Sequence, residues 1–279
     1  MRGILASHTQ REHSSFRGQS AINQDAADGG YWHEEALAGA LSRWRRDPLG
    51  ARLALSIFGQ DVLRASSGGA SSMADPAAKP DLRAWMRWPD GSEREAHISA
   101  KLARIGSTDS PDRPMHHAAR IKFEDADQHG LLPVEAFDVR GAILSHFIDG
   151  ESLSRQDPAI ADKALAHFKA HWSVVARSAI QGMSAPFASH LVISLAKIQD
   201  DGALALQSSR SMSAEDAIAA LCAVPPSLSA PRDGQVGTIG SKMMHIQRGQ
   251  ALSLGSQRDI QIKINVGALY LAAGELPDF

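Results

Sequence analysis

The stretch PDLRAWMRWPDGSEREAHISAK, residues 80–101, predicts two β-strands joined by a short turn. Apolar and polar residues alternate on both sides of the Pro-Asp-Gly-Ser segment at 89–92, a pattern that is typical of a β-hairpin. If residues 89–92 form the turn, antiparallel pairing sets Trp88 opposite Glu93. The rest of the hairpin then follows by counting back along both strands.

This register brings Asp81 next to the only lysine of the stretch. It sets Asp81 opposite Ala100, and therefore beside Ser99 and Lys101, which share one face because side chains alternate along a strand. Asp90 belongs to the second Pro-Asp pair and lies at the tip of the hairpin, roughly 35 Å from Lys101 at ~3.3 Å per residue. Only the first Pro-Asp pair can therefore share a site with Lys101, and we interpret the second pair as a turn.

The order Pro80-Asp81, then Ser99-Ala100-Lys101, resembles the PD-(D/E)XK nuclease superfamily, whose motif is Pro-Asp, a spacer, and acid-x-Lys. The resemblance implies that Asp81 binds Mg²⁺ and that Lys101 positions or activates the attacking water. Ser99 departs from the pattern because it occupies the acid position. Several type II restriction endonuclease families look similar there, with Ser-x-Lys and a carboxylate recruited from elsewhere. We expect Ser99 to hydrogen-bond within the site.

Further acids are needed to complete such a site. Glu124, which follows a predicted strand, is our preferred second metal ligand, with Asp125 and Glu95 as alternatives. Nucleases of this superfamily also carry a glutamate on the first core helix that faces the site, and Glu34 or Glu35 in GGYWHEEALAGAL is in the matching place. Both glutamates are also explained as acids that a helix dipole favours in the first turn.

A late segment, SKMMHIQRGQALSLGSQRDIQIKIN at 241–265, resembles a stretch of several restriction endonuclease families in which two strands flank a basic turn. Between Arg232 and Lys263, five basic residues outnumber two acidic ones, and glutamines are interspersed. This mixture suits contacts with phosphates and with base edges. The predicted DNA-binding residues are Lys242, Gln247, Arg248, Arg258 and Lys263. A solvated edge hairpin is the alternative explanation.

The composition is that of a folded protein without disulfides. Of the 279 residues, 43% are hydrophobic and 22% are charged, as in ordinary globular proteins. The net charge of -2 means that basic residues must be segregated onto one face if the partner is DNA. Cys222 is the only cysteine, which favours a reducing compartment. Because a signal peptide and a long apolar run are both lacking, we expect a cytoplasmic protein that does not enter a membrane.

Periodicity elsewhere predicts an α/β fold with a central mixed β-sheet flanked by helices, built as a single domain over 1–279. It contains an N-terminal helical part (about 1–66) and the hairpin at 80–105. Residues 66–80 show no periodicity and are predicted to form a loop. Helical spacing marks 30–46, 47–65, 133–150, 157–182 and 213–224. Further strands are predicted at 118–123, 190–198, 203–209, 243–249 and 259–272.

The resemblance as a whole implies a Mg²⁺-dependent endonuclease that cleaves double-stranded DNA at a specific sequence, as type II restriction endonucleases do. Such enzymes are commonly two-fold dimers matched to palindromic sites, so we expect a homodimer. Three alternatives remain open: a DNA repair or recombination nuclease, a non-catalytic DNA-binding or regulatory protein that kept the fold, and an unrelated α/β enzyme in which the motif arose by coincidence.

Overall fold

The computed structural model describes residues 21–73, 80–105, 115–198, 204–229, 237–248 and 260–277. The helices in this part of the chain are α1 (Ala21–Ser42), α2 (Pro48–Phe58), α3 (Phe123–Gln128), α4 (Phe137–Ile148), α5 (Pro158–Ala170), α6 (Trp172–Ile180), α7 (Ala214–Cys222) and α8 (Val266–Ala272). The strands are β1 (Ser67–Ser72), β2 (Leu82–Arg87), β3 (Glu93–Ile105), β4 (Met115–Ile121), β5 (His190–Ile198), β6 (Leu204–Ser213), β7 (Ser227–Leu228), β8 (Ile239–Gly240), β9 (Met244–Arg248) and β10 (Ile260–Asn265).

The first sheet has five strands in the order β1-β2-β3-β5-β6. Strand β3 pairs with β5 in parallel, and the other pairs are antiparallel, so the sheet is mixed. Helices α1 and α2 pack on this sheet. The predicted fold class, a mixed α/β protein with a central sheet flanked by helices, is therefore confirmed.

Strands β2 and β3 form the predicted hairpin, with a register one residue away from the predicted one. Arg87 pairs with Glu93, where Trp88 was expected. The reason is that the loop takes one residue more than a tight turn, and Gly91 adopts a positive φ of 84° within it. Asp90 is a turn residue as predicted, because its carboxylate accepts the backbone N–H of Ser92 at 2.9 Å.

Alternation along the hairpin separates a buried face from a polar one. The even-numbered residues of β2 are buried, whereas Arg83 and Arg87 are exposed. The buried face packs against α1 and α2 in the smaller of the two apolar clusters that the described residues form, which contains Leu37, Leu53 and Ile98 among others. The polar face of β3 is formed by its odd-numbered residues, which include Ser99 and Lys101, the two predicted to lie near Asp81.

Several segments differ from the sequence-based predictions. Residues 157–182 were expected to form one helix and instead form α5 and α6, which are separated at His171. Residues 67–72 were expected to form a loop and instead make strand β1, at the edge of the first sheet. Their Ser and Gly content has a steric reason, since a Cβ on Gly69 would lie 2.5 Å from the Trp85 ring. Residues 259–272 were expected to be one strand, but the strand ends at Asn265, whose side chain accepts the N–H of Ala268 and caps helix α8.

A second sheet, in the order β4-β10-β9-β8-β7, was not foreseen as a separate layer. Its buried isoleucines, such as Ile262, lie in the larger apolar cluster together with residues of α4 to α7. Leu191 and Ile193 of β5 also belong to this cluster, so the first sheet is covered on both faces. Within the described part of the chain, each helix is too short or too polar to cross a membrane.

Candidate active site

Asp81 lies immediately before β2 and binds the adjacent strand through its side chain. Its backbone N–H donates to the Ile98 carbonyl at 2.8 Å, and its Oδ2 accepts the backbone N–H of Ala100 at 2.6 Å. Alternate residues of a strand direct their backbone N–H and C=O groups to the same neighbouring strand, so those of Ala100 point toward the side of β2, as those of Ile98 do. Strand β2 does not extend that far, and the Asp81 carboxylate accepts the Ala100 N–H in place of a backbone carbonyl.

Lys101 completes the same arrangement from β3. Its Nζ donates to Asp81 Oδ2 at 3.3 Å and to the Ala100 carbonyl at 2.9 Å. The side chains of Lys101 and Asp81 are 16% and 24% exposed, so the pair is partly shielded and still open to a ligand. An ammonium group carries three N–H donors, and these two contacts use two of them.

Ser99, the residue in the acid position, is fully buried. Its hydroxyl donates to Asp81 Oδ2 at 3.3 Å. The Asp81 oxygen therefore receives donors from Ser99, Ala100 and Lys101, and this fixes the orientation of the carboxylate. The sequence places these residues together, and the structure brings them within hydrogen-bonding distance.

Glu34 approaches the same cluster from α1, a helix that contacts β2 and β3. Burial is the main cause that raises the pKa of Glu34 from 4.5 to about 7; the charge of Asp81 raises it further, and Lys101 opposes the rise. Glu34 is half-buried, whereas Glu35 is exposed. Of the two glutamates that the sequence suggests, Glu34 is the one whose pKa the charge of Asp81 raises.

The donor set fits Mg²⁺. This ion usually takes one or two protein carboxylates and completes its octahedron with water and substrate phosphate, and Glu34 and Asp81 supply two carboxylates. A divalent cation would also favour the ionised form of Glu34, which the charge of Asp81 disfavours. In the residues that the structure describes, no cluster of three or more His, Cys, Asp or Glu side chains is placed to hold a metal by protein ligands alone.

The remaining candidate acids contribute less to this picture. Glu124 is the second residue of α3, and its side chain lies outside the described residues, so its role as a metal ligand stays a prediction. Glu95 is already engaged, because its carboxylate pairs with Arg83 at 2.5 Å and with His97 at 2.9 Å. We therefore do not assign Glu95 to the site.

Four of the predicted DNA-binding residues, Lys242, Gln247, Arg248 and Lys263, lie in the second sheet or in the turn before β9. Gln247 of β9 donates its amide N–H to Gln261 Oε1 of β10 at 2.7 Å. Lys263 is half-buried on β10, and Lys242 is exposed in the turn before β9. Arg248 ends β9, with its side chain outside the described residues, and Arg258 lies outside them entirely.

Sequence reasoning missed the residue that precedes Glu34. His33 is 1% exposed, and its Nε2 is hydrogen-bonded to Ser194 Oγ on β5 at 2.8 Å. Burial and the charge of Lys101 lower the pKa of His33 to about 4, against the opposite effect of Asp81, so the ring is neutral at neutral pH. The available signal was the helical spacing of His33 with the buried Leu37 and Leu41.

The fold is similar to that of a nuclease whose structure is known. The restriction endonuclease MspI, crystallised in complex with its cognate DNA, aligns with a TM-score of 0.56 over 88% of this chain and 93% of its own, at 10% sequence identity. This likeness shows a restriction-endonuclease-like fold. No known family profile and no curated protein sequence matches the chain.

Proposed function

We propose that this protein is a Mg²⁺-dependent endonuclease that cleaves double-stranded DNA at a specific sequence, in the manner of a type II restriction endonuclease. The observation that carries the proposal is the convergence of Asp81, Lys101 and Glu34 in a chain with this fold. The proposed enzyme is a homodimer, because a two-fold dimer matches a palindromic site. It is further proposed to be a single domain and to act in the cytoplasm.

In the proposed mechanism, Asp81 and Glu34 hold the metal, and Glu124 is the candidate for a further ligand. Bound Mg²⁺ would stabilise the negative charge that develops on the scissile phosphate. Lys101 orients the attacking water with the N–H donor that its two protein contacts leave unused. Ser99 and the backbone N–H of Ala100 hold the Asp81 carboxylate in place during the reaction.

The second sheet is proposed to contact DNA. Lys242 and Lys263 suit phosphate contacts, and Gln247 offers an amide for a base edge. Arg248 and Arg258 complete the proposed set. Gln247 would have to exchange its contact with Gln261 for a contact with a base, because the two amides bind each other in this structure.

The test is incubation of the purified protein with plasmid and phage DNA, with Mg²⁺ or with EDTA, beside the variants Asp81→Asn and Lys101→Met. Asparagine retains an acceptor for the Ala100 N–H, and methionine retains most of the lysine stem, so both variants are expected to fold. Discrete fragments that need Mg²⁺ and are absent with both variants support a sequence-specific nuclease. Random degradation would instead favour a repair nuclease.

A second candidate function is a DNA-binding or regulatory protein that does not cleave. Ser99 in the acid position favours it, as does the lack of a three-residue metal cluster among the described residues. Intact DNA under every condition, together with a gel shift that Lys263→Ala weakens, would support this alternative and contradict the nuclease proposal.

A further inference from the structure

A buried hydrogen-bond chain joins α1 to the first sheet beside Glu34. His33 Nε2 lies 2.8 Å from Ser194 Oγ, and Ser194 Oγ lies 2.7 Å from Ser209 Oγ. His33 and Ser194 are 1% and 0% exposed. The chain therefore runs from α1 through β5 to Ser209 on β6, which is half-buried. Because His33 and Ser194 are both buried, water competes little for the hydrogen bond between them.

The chain matters for Glu34 because of the geometry of a helix. Successive side chains of an α-helix point about 100° apart, so a rotation of α1 that displaces His33 displaces Glu34 with it. The next buried residues of this helix face, Leu37 and Leu41, make apolar contacts, which are not directional. The hydrogen bond of His33 is directional and fixes the rotation of the helix more narrowly.

We infer that His33 is a positioning residue which, through Ser194 and Ser209, holds α1 at the rotation that turns Glu34 toward Asp81. The functional consequence rests on the proposed function, because the two carboxylates are the proposed metal ligands. The Nε2 atom of His33 is engaged by Ser194, so His33 is not proposed to bind the metal. Residues that orient metal ligands typically change metal affinity about 10- to 100-fold when they are replaced.

The experiment compares three variants of the full chain. His33→Phe keeps a ring of similar size and removes the hydrogen-bonding nitrogen, and His33→Gln returns an amide that can reach Ser194. Ser42→Ala is the matched control: it removes a different polar anchor of the same helix, since Ser42 Oγ contacts the backbone N–H and carbonyl of Ala70, both at 3.1 Å. Mg²⁺ affinity is measured by isothermal titration calorimetry, and the Glu34-to-Asp81 separation by crystallography.

The expected result is about 10-fold weaker Mg²⁺ binding or more in His33→Phe, with a longer carboxylate separation. His33→Gln should restore the affinity to within a few-fold of wild type, and Ser42→Ala should lower thermal stability with the affinity unchanged. If His33→Phe does not fold, Ser194→Ala takes its place, because it removes the same hydrogen bond from the other side.

Two results would overturn the inference: an unchanged affinity and carboxylate separation in folded His33→Phe, or an equal loss of affinity in Ser42→Ala. Failure of the proposed function is recognised separately, because the wild-type protein would then bind no Mg²⁺. In that case the carboxylate separation in the crystal structures decides the positioning role by itself.

Discussion

The carboxylate of Asp81 receives the backbone N–H of Ala100 at 2.6 Å, in the position that a longer β2 would have filled with a carbonyl group. At the end of β2, a backbone N–H of the neighbouring strand therefore fixes the position of a carboxylate oxygen. Lys101 is held there as well, through the carbonyl of the same residue, Ala100.

Loss of either charge should slow cleavage strongly with little effect on folding. Asp81→Asn removes a proposed metal ligand, and Lys101→Met removes the group that orients the water, so each should slow cleavage by about 10²- to 10⁴-fold. Single-turnover assays on plasmid DNA measure the effect. Asp90→Asn at the hairpin tip is the control and should cleave at the wild-type rate; an equal loss there would count against the assignment of the site.

Mg²⁺ binding should strengthen as the pH rises through about 7. The pKa of Glu34 is raised to about 7, mainly by burial, so this proposed ligand is protonated and neutral below that value and ionised above it. Calorimetric titration of Mg²⁺ on either side of neutral pH tests this expectation. When the titration is repeated in buffers that differ in ionisation enthalpy, the measured binding enthalpies should also show that Mg²⁺ binding releases a proton. An affinity that is flat in wild type and matches Glu34→Gln would contradict the role of Glu34.

Glu34→Gln should stabilise the fold at alkaline pH. Because folding raises the pKa of this carboxyl from 4.5 to about 7, the folded state binds the proton more tightly, and the wild-type protein loses stability as the pH rises through that interval. Glutamine cannot ionise, so the gain should be near zero at acidic pH and reach about 1–3 kcal/mol above neutrality. Thermal unfolding across this range measures it, with Glu35→Gln as the exposed neighbour for comparison.

Two glycine substitutions in helices should act in opposite directions. A Cβ on Gly50 of α2 would lie 2.0 Å from the Ala40 carbonyl oxygen of α1, a backbone atom that cannot move alone, whereas a Cβ on Gly141 of α4 meets nothing within 4 Å. Gly50→Ala should therefore cost about 1–3 kcal/mol or more. Gly141→Ala should stabilise by about 0.5–1 kcal/mol. Denaturant unfolding distinguishes the two, and equal effects would show that α1 and α2 do not cross this closely.

The proposed DNA surface should separate into two classes of residue. Lys242→Ala should weaken binding to all sequences alike. It should also reduce, by about one, the slope of the logarithm of the binding constant against the logarithm of the salt concentration. Gln247→Ala should instead weaken binding to the cognate sequence by about 1–3 kcal/mol and leave non-specific binding nearly unchanged. Fluorescence anisotropy at several salt concentrations, with Mg²⁺ absent, measures both. If both variants lose only non-specific affinity, Gln247 does not read bases.

The local pattern of the sequence predicts part of this site. The alternation at 80–101 predicts the hairpin, and the period of two along β3 predicts that Ser99 and Lys101 accompany Asp81. The register was wrong by one residue because loop length at the tip depends on the conformation of Gly91, which the apolar pattern does not encode. The side-chain contact was still foreseen, because a carboxylate can reach a neighbouring residue on the facing strand.

Contacts between distant segments are what the sequence could not supply. The alternative explanation of Glu34 and Glu35 as first-turn acids is wrong, because α1 begins at Ala21 and its first turn contains no acid. The local sequence does not distinguish the two glutamates, and only the packing of α1 on the sheet does. Strand β1 has no apolar alternation, because its glycines are required by the side chains of Trp85 and Met86 that lie against them. The hydrogen bond between His33 and Ser194 joins residues with no local relationship, and the role of Glu124 stays a prediction.

The parallel pair of β3 and β5 has a consequence for the order of folding. Lys101 pairs with Ile193 in this register, and the intervening chain contains β4 and helices α3 to α6. Contacts over such separations form late, because the entropy of closing the loop must be paid first, whereas the hairpin closes locally. We therefore expect the contact between Asp81 and Lys101 to form early during folding. The hydrogen bond between His33 and Ser194 can form only after β5 has paired with β3. The candidate site would thus be assembled in two stages, with its second carboxylate arriving last.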